Sequence, residues 1–257
     1  MKASDNRPIR AAVSTRAGVS AALRRMSRPV VEFNAERYFR GDHGLRFYNV
    51  GTSAMRALAR EIHRAQRDAW SVDDAMLFAD ALMRDPYLET KSVGIEVVAR
   101  YRRRFSPKLL SRWKSWLAAN LSANWATTDA ICGMLIGPLL ADRPELVPEM
   151  RAWARHRNMC VRRASIVSLI VPMRRGLGLG VAYDNARELH GDPADLIQKA
   201  VGWALREAGK QDAPRLEAYL RTNGPAIPRT TVRYAIERFS PAKRRELLAV
   251  TRSIDPR

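Results

Sequence analysis

The sequence predicts an all-α protein, an α-solenoid of about six antiparallel helix pairs. Helix start signals recur along the chain, and the first helices of successive pairs begin 34 to 37 residues apart. No alternating run of β-branched residues is long enough to require a strand. With 257 residues and 46% apolar content, the chain can build one continuous core.

The helices follow one another at a regular interval. Ser53 begins a helix that runs to about Asp68, and Ser71 with Asp74 forms a capping box for a helix that ends near Arg84. The remaining helices are predicted over about 87–104, 107–121, 124–140, 148–156, 158–171, 181–189, 193–208, 214–221, 230–239 and 241–250. Because one pair cannot bury its apolar face alone, neighbouring pairs stack, and their first helices lie side by side.

The predicted domain spans residues 29–252, and residues 1–28 form a basic, flexible tail. The tail carries six arginines and one lysine against a single acid, Asp5. A basic arm that follows DNA phosphates and an organelle-targeting peptide are the alternatives to a disordered tail or one loose helix. Farther along, Arg102, Arg103 and Arg104 end a helix, where they are either solvated or bound to phosphate.

The net charge favours a polyanionic partner. Lysine and arginine total 45 against 26 acids, which gives a formal charge of +19 and a pI near 11.0. A positive field of this size most often indicates a protein that binds nucleic acid. A generally basic protein from a genome that favours arginine would have the same excess of basic over acidic residues.

The composition also limits the compartment and the cofactors. Cys132 and Cys160 are too few for a disulfide framework or a zinc motif, which indicates a reducing, cytoplasmic location. The four histidines show no metal-binding spacing, so no metal or other cofactor is expected. No apolar run approaches the roughly 18 residues of a membrane span, and no membrane partner is expected.

Trp125 and Asp129 are the first candidates for a functional site. They are four residues apart at a predicted helix start, so their side chains share one face of the helix and can meet one ligand. The alternative is structural, with Trp125 in the core and Asp129 complementing the helix dipole.

The next two repeats supply further candidates. Arg162 and Arg163 are about 100° apart around a helix, so at most one faces the shared surface directly. In the following helix Ile197, Val201 and Leu205 form the core stripe, which places Trp203 on the opposite face. Trp125–Asp129, Arg162–Arg163 and Trp203 fall on the first helices of three successive pairs and are expected to line one strip. The other tryptophans are expected to be packing residues: Trp70, Trp113, Trp116 and Trp153.

Four segments carry a resemblance to a known family. RFYNVGTSAMRALAREI, NWATTDAICG, VRRASIV and KAVGWALREAGK resemble, in order and spacing, the AlkD-like DNA alkylation repair proteins, bacterial glycosylases built from HEAT-like repeats. The resemblance runs from about Phe33 to Val250. It implies catalytic roles for Asp129, Trp125, Trp203 and an arginine of the Arg162–Arg163 pair, with Arg163 preferred. The commoner motif has an aspartate where this chain has Ala126, which affects the expected local hydrogen bonding.

The resemblance implies a DNA glycosylase that removes positively charged N-alkylated purines from duplex DNA. A monomer is expected, because a solenoid with capped ends has no need to dimerise. Asp129 would stabilise the oxocarbenium-like sugar, the two indoles would contact deoxyribose and the lesion, and Arg163 would hold a phosphate. Further DNA contacts are expected from residues in the same segments: Arg162, Arg206, Lys199 and Asn124. The alternatives are a non-catalytic HEAT-like repeat protein that binds DNA structures and a scaffold for an acidic protein partner.

Overall fold

The computed structural model describes residues 14–39, 44–122 and 124–252. Within these ranges the chain is mainly α-helical and forms no strand, and one isolated parallel bridge joins Arg46 and Tyr87. The predicted all-α class is confirmed. His43 and residues 1–13 of the predicted tail lie outside the described residues.

The chain divides into two compact units, which comprise residues 1–135 and residues 136–257. The α-helices of the first unit are α1 (Arg16–Arg25), α2 (Thr52–Gln66), α3 (Val72–Met83), α4 (Leu88–Ala99), α5 (Lys108–Ala118) and α6 (Trp125–Ile131). Its 3₁₀ helices are Glu36–Tyr38 and Arg102–Arg104, and a π-helical turn, Cys132–Ile136, directly follows α6.

The second unit continues the series of short helices. Its α-helices are α7 (Gly137–Asp142), α8 (Met150–Ala154), α9 (Met159–Val167), α10 (Ile170–Met173), α11 (Leu179–Glu188), α12 (Asp195–Gly209), α13 (Ala213–Asn223), α14 (Arg229–Ala235) and α15 (Pro241–Val250). Its 3₁₀ helices are Pro144–Glu149 and Gly224–Ala226. The predicted interval is therefore confirmed: the first helices of the pairs start within two residues of the expected positions.

In the first unit the first helices lie side by side, because α4 packs against both α2 and α6. The second helix of the first pair, α3, packs against α4 and completes the core. The predicted capping box is present, with Ser71 and Asp74 bonded reciprocally at the start of α3. Its hydrogen bonds to Ser71 lower the pKa of Asp74 below the usual range.

Helix α1 lies within the segment predicted as a tail. Its Val19 and Leu23 are fully buried, and the helix packs against α3 and α4. Arg16 adds an ion pair of 2.9 Å with the buried Asp85. Residues 16–25 are therefore part of the folded first unit, and the prediction of one domain over residues 29–252 stays a prediction.

In the second unit α12 packs against both α9 and α14, so the first helices of these pairs also lie side by side. Gly202 permits the close approach of α12 to α14. A Cβ at this position would lie 2.4 Å from the Tyr234 Cβ and 2.6 Å from the Thr231 carbonyl oxygen, distances that side chains do not tolerate. Helix contact at this point requires glycine.

The loop between α10 and α11 contains the three glycines Gly176, Gly178 and Gly180. Gly176 and Gly178 adopt φ of 74° and 76°, the left-handed region that favours glycine, and Gly180 belongs to α11. The first two glycines therefore make a chain reversal between helices. Among the described helices, none is long and apolar enough to cross a lipid bilayer.

Candidate active site

The amino end of α6 is held by its cap residue, Asn124. The Asn124 Oδ1 accepts the Thr127 N–H at 2.8 Å, and its Nδ2 donates to the Thr127 hydroxyl at 2.9 Å and to the Ser122 carbonyl at 2.8 Å. The Thr128 hydroxyl donates to the Asn124 carbonyl at 2.8 Å. All four residues are buried, so water does not compete for these bonds and the first turn of α6 is fixed.

The structure gives the Asn124 side chain a capping role, and its expected DNA contact stays a prediction. Asn124 is 8% exposed, and both its amide donors and its amide oxygen are engaged in the cap. The same bonds answer the question raised by Ala126. The turn is closed by Asn124, Thr127 and Thr128, and no carboxylate at position 126 is needed to complete it.

A buried lysine supports the segment that leads into α6. The Lys91 ammonium donates to the carbonyl of Met83, at the end of α3, and to the carbonyl of Leu121 at 2.8 Å. Lys91 is 5% exposed, and burial lowers the pKa of its amine. It therefore joins α3, α4 and the approach to α6 at one point.

Trp125 and Asp129 occupy the first turns of this fixed helix. Both are half-buried, and their spacing of four residues places them on one face. The Trp125 ring lies 5.6 Å from the Phe39 ring, and Phe39 lies 5.4 Å from Phe47, centroid to centroid. These three rings, here called the aromatic wall, are all half-buried and leave an apolar surface beside the carboxylate.

The RFYNV segment positions the aromatic wall. The buried Glu89 of α4 accepts the backbone N–H of Tyr48 at 3.1 Å and of Val50 at 3.2 Å, and burial raises the pKa of Glu89. Tyr48 stacks on Tyr87 with 3.8 Å between ring centroids. Phe47 stands next to these anchored residues and therefore has a fixed place against Phe39.

A π-helical turn follows Asp129 within the same continuous helix. The sequence predicted an uninterrupted helix to Leu140, but residues 132–136 adopt π geometry before α7. Pro138 lacks an N–H and its ring excludes the regular bond to the preceding turn, so a widened turn accommodates it. Such turns occur frequently at functional sites.

In the second unit the arginine pair lies on α9, and Arg162 is the more exposed of the two. Arg163 is 6% exposed, and its guanidinium donates to the Leu196 carbonyl in the first turn of α12. Arg162 is half-buried and forms an ion pair of 2.6 Å with Asp192. Helix geometry predicts the angle between the two arginine side chains. Which of them is buried depends on the adjacent helix α12.

Helix α12 confirms the predicted phase. Ile197, Val201 and Leu205 are at most 1% exposed, whereas Trp203 is half-buried on the opposite face. Lys199 and Arg206 lie four residues before and three residues after Trp203, so the three side chains share one surface, here called the α12 face. Lys199 pairs with Asp195 at 2.6 Å, and Arg206 pairs with Glu237.

The predicted residues therefore fall into two groups, one in each unit. Trp125 and Asp129 belong to the first unit, with Phe39 and Phe47 as neighbours that sequence reasoning did not find. Arg162, Arg163 and the α12 face belong to the second. Three of the four tryptophans expected to be packing residues are buried, namely Trp113, Trp116 and Trp153. Trp70 is half-buried and contacts Phe78 at 5.1 Å.

Two comparisons with known proteins find matches to this chain. A family model described as DNA alkylation repair enzyme matches residues 19–239. The chain is similar to a solved structure described as "Predicted DNA alkylation repair enzyme from Enterococcus faecalis", with 17% identity and a TM-score of 0.73 over 84% of this chain and 98% of that chain. No curated protein matches the sequence. At this low sequence identity, the structural similarity shows only a shared fold. The family model matches most of the chain.

Proposed function

Because the chain belongs to the DNA alkylation repair enzyme family, which supports a role in the repair of alkylated DNA, we propose that it is a DNA glycosylase. Its substrates are positively charged N-alkylated purines in duplex DNA, of the 7-methylguanine and 3-methyladenine type. The observation that carries the proposal is the half-buried Asp129 beside Trp125 on a helix start fixed by buried hydrogen bonds.

The chemistry of these lesions matches a single carboxylate. Alkylation gives the base a positive charge, so it departs with the electron pair of the glycosidic bond as a neutral base and needs no general acid. Positive charge then develops on the sugar, and a pre-organised carboxylate stabilises it. Water adds to the sugar carbon and releases a proton. In this role Asp129 is the catalytic residue, and the reaction requires no metal or other cofactor.

The aromatic wall and the α12 face supply binding. Trp125 with Phe39 offers an apolar surface for the deoxyribose, and indole rings attract a cationic base through their quadrupole. On the α12 face, Trp203 is flanked by two basic side chains, Lys199 and Arg206, that suit the DNA backbone. We assign Arg163 a positioning role because it is buried against α12, and we assign phosphate contact to the more accessible Arg162.

The helix pairs that carry these residues are interpreted as HEAT-like repeats, and the protein is proposed to act as a cytoplasmic monomer. The repeat interval and the lateral packing of first helices within each unit support this interpretation.

Base release tests the proposal directly. Duplex DNA containing 7-methylguanine is incubated with the wild-type protein, and free base is measured against the protein-free control. We expect release at least about a hundredfold above the spontaneous rate. A duplex with a bulky N7 adduct, run in parallel, tells whether the aromatic wall tolerates large groups. Release of 7-methylguanine at the spontaneous rate contradicts the proposal.

A salt titration separates DNA binding from a scaffold that binds an acidic protein. If the protein neutralises several phosphates, the logarithm of duplex affinity falls with the logarithm of salt concentration by about 0.9 per phosphate. A flat response favours the scaffold. A steep response without base release favours the non-catalytic DNA-binding alternative.

A further inference from the structure

A basic cleft in the first unit lies apart from α6, where α2 and α4 end. Its volume is about 540 Å³. Five arginines and one acid, Asp68, line it together with His63 and Tyr101. The arginines include the Arg102–Arg104 run, so the cleft brings that run together with Arg67 and Arg100.

The acids that pair with Arg67 and Arg100 compensate these two charges only weakly. Arg67 pairs with Asp68 at 3.7 Å, but both side chains are largely exposed, and such pairs contribute little. Arg100 reaches Glu96 only at 3.9 Å, whereas Glu96 has a closer partner, Arg56, at 3.0 Å. The cleft therefore keeps a positive potential that favours an anion.

Two buried donors in the wall of the cleft lack partners. Among the described residues, neither the Tyr101 hydroxyl nor the Arg100 Nε has a hydrogen-bond partner, although both atoms are buried. Tyr101 is 4% exposed, and its ring packs against His63 at 5.0 Å between centroids and under the Arg104 guanidinium at 5.9 Å. Leaving buried donors unpaired costs stability, and an anion in the cleft would supply the missing acceptors.

The positive charges of the cleft also affect the pKa of His63. Burial lowers the pKa of its imidazole first, and the charges of Arg100, Arg67 and Arg104 lower it further. An anion in the cleft would offset the three arginines, so the pKa of His63 would rise on binding. The imidazole is thus a built-in reporter of occupancy.

We propose that this cleft is a binding site for a phosphate group. The exposed guanidiniums of Arg67 and Arg104 make the first contacts as charged, forked donors. The Tyr101 hydroxyl and the Arg100 Nε are closed to solvent in the free protein, so the wall opens on binding for them to donate to the phosphate. The phosphate is either a DNA backbone phosphodiester or a free phosphate or phosphate ester. The site involves neither Asp129 nor the aromatic wall, so it does not rest on the proposed glycosylase activity.

The test uses the full-length protein and inorganic phosphate at constant ionic strength, with chloride as the balancing salt. We expect phosphate, but not chloride, to raise the pKa of His63 followed by NMR. Tyr101→Phe should weaken phosphate binding about threefold to tenfold. Tyr183→Phe is the matched control, because Tyr183 is also 4% exposed with an unpartnered buried hydroxyl, but lies on α11 in the second unit.

A second variant tests the charged contacts without disturbing the interior. Arg67→Gln should weaken phosphate binding about tenfold, and Arg244→Gln, an exposed change of equal charge on α15, should not. An unaltered His63 pKa in wild type overturns the proposal. So does equal phosphate binding by Tyr101→Phe, Arg67→Gln and their two controls.

A short undamaged duplex identifies the source of the phosphate. If the DNA backbone occupies the cleft, the duplex raises the pKa of His63, and Tyr101→Phe and Arg67→Gln weaken duplex binding. If a free phosphate occupies the cleft, inorganic phosphate raises the pKa of His63 and the duplex does not. Both outcomes support the site. Because neither measurement monitors base release, failure here leaves the glycosylase proposal standing, and failure of base release leaves the cleft standing.

Discussion

The start of α6 and the middle of α12 each present a half-buried tryptophan next to a charged side chain, but they are supported in different ways. Trp125 stands on a turn closed by buried hydrogen bonds and against another aromatic ring, Phe39. Trp203 stands on the outer side of an amphipathic helix, between Lys199 and Arg206.

The difference indicates a division of roles. A group that stabilises developing charge must be held rigidly, because pre-organisation is the source of its effect. A group that contacts the DNA backbone tolerates more freedom, since phosphate contacts are many and individually weak. We therefore propose that the first region serves the chemical step and the second serves affinity. Substitutions in the two regions, and in the contacts that hold them, distinguish these roles.

Gly202→Ala is expected to destabilise the second unit by about 1–3 kcal/mol, because its Cβ would meet the backbone and Tyr234 of α14. Thermal or denaturant unfolding measures the change. Gly180→Ala is the control, since its Cβ meets nothing within 4 Å in α11 and should stabilise by about 0.5–1 kcal/mol. Equal effects of the two substitutions would show that the α12–α14 contact is not close.

Asn124→Ala and Asn158→Ala compare two helix caps. Each asparagine accepts backbone N–H groups at a helix start, so each loss should cost about 1–2 kcal/mol of unfolding free energy. Only Asn124→Ala is expected to slow base release at a temperature where both variants are folded, because only it positions Trp125 and Asp129. If both variants lost the same fraction of base-release activity, the α6 cap would have no specific role in positioning Trp125 and Asp129.

Trp125→Ala and Trp203→Ala test the division directly. Trp125→Ala should lower stability by about 0.5–1.5 kcal/mol through the lost ring contact with Phe39, in addition to slowing base release. Trp203→Ala should mainly weaken duplex binding, by about tenfold, which corresponds to about 1.4 kcal/mol. Unfolding curves and binding isotherms separate the two effects. If Trp203→Ala leaves duplex affinity unchanged, the α12 face is not a DNA contact.

Lys199→Gln gives the smallest expected effect. Removing one phosphate contact should reduce the salt slope of duplex binding by about 0.9. Lys243→Gln on α15, where the lysine pairs with Glu217 and Glu246, is expected to leave the slope unchanged. Indistinguishable slopes for wild type and Lys199→Gln would exclude Lys199 from the interface.

Local sequence signals were sufficient for the helices and for the exposure of Trp203. The repeat interval, the capping box at Ser71 and the core stripe of α12 depend on residues close together in the chain, where helix geometry fixes the outcome. The packing of helix α1 is not predicted, because a basic segment whose apolar residues are mostly small resembles a tail or one loose helix until α3 and α4 cover Val19 and Leu23.

Contacts between distant segments were not predictable from the same signals. Phe39 contacts both Trp125 and Phe47, and Phe47 belongs to a segment that Glu89 and Tyr87 anchor at Tyr48. The burial of Arg163 depends on the neighbouring α12, and the π-helical turn depends on how the helix accommodates Pro138. The sequence pattern of one helix carries no information about which distant side chains pack against it.

We propose above all that the Asp129 carboxylate stabilises the positive charge that develops on the sugar as the base departs. Single-turnover release of 7-methylguanine by Asp129→Asn measures it, with Asp73→Asn, an exposed carboxylate of the same unit, as the control. We expect Asp129→Asn to retain the unfolding midpoint and duplex affinity of wild type while its release rate falls at least about a hundredfold. Release by Asp129→Asn at the wild-type rate would contradict the account.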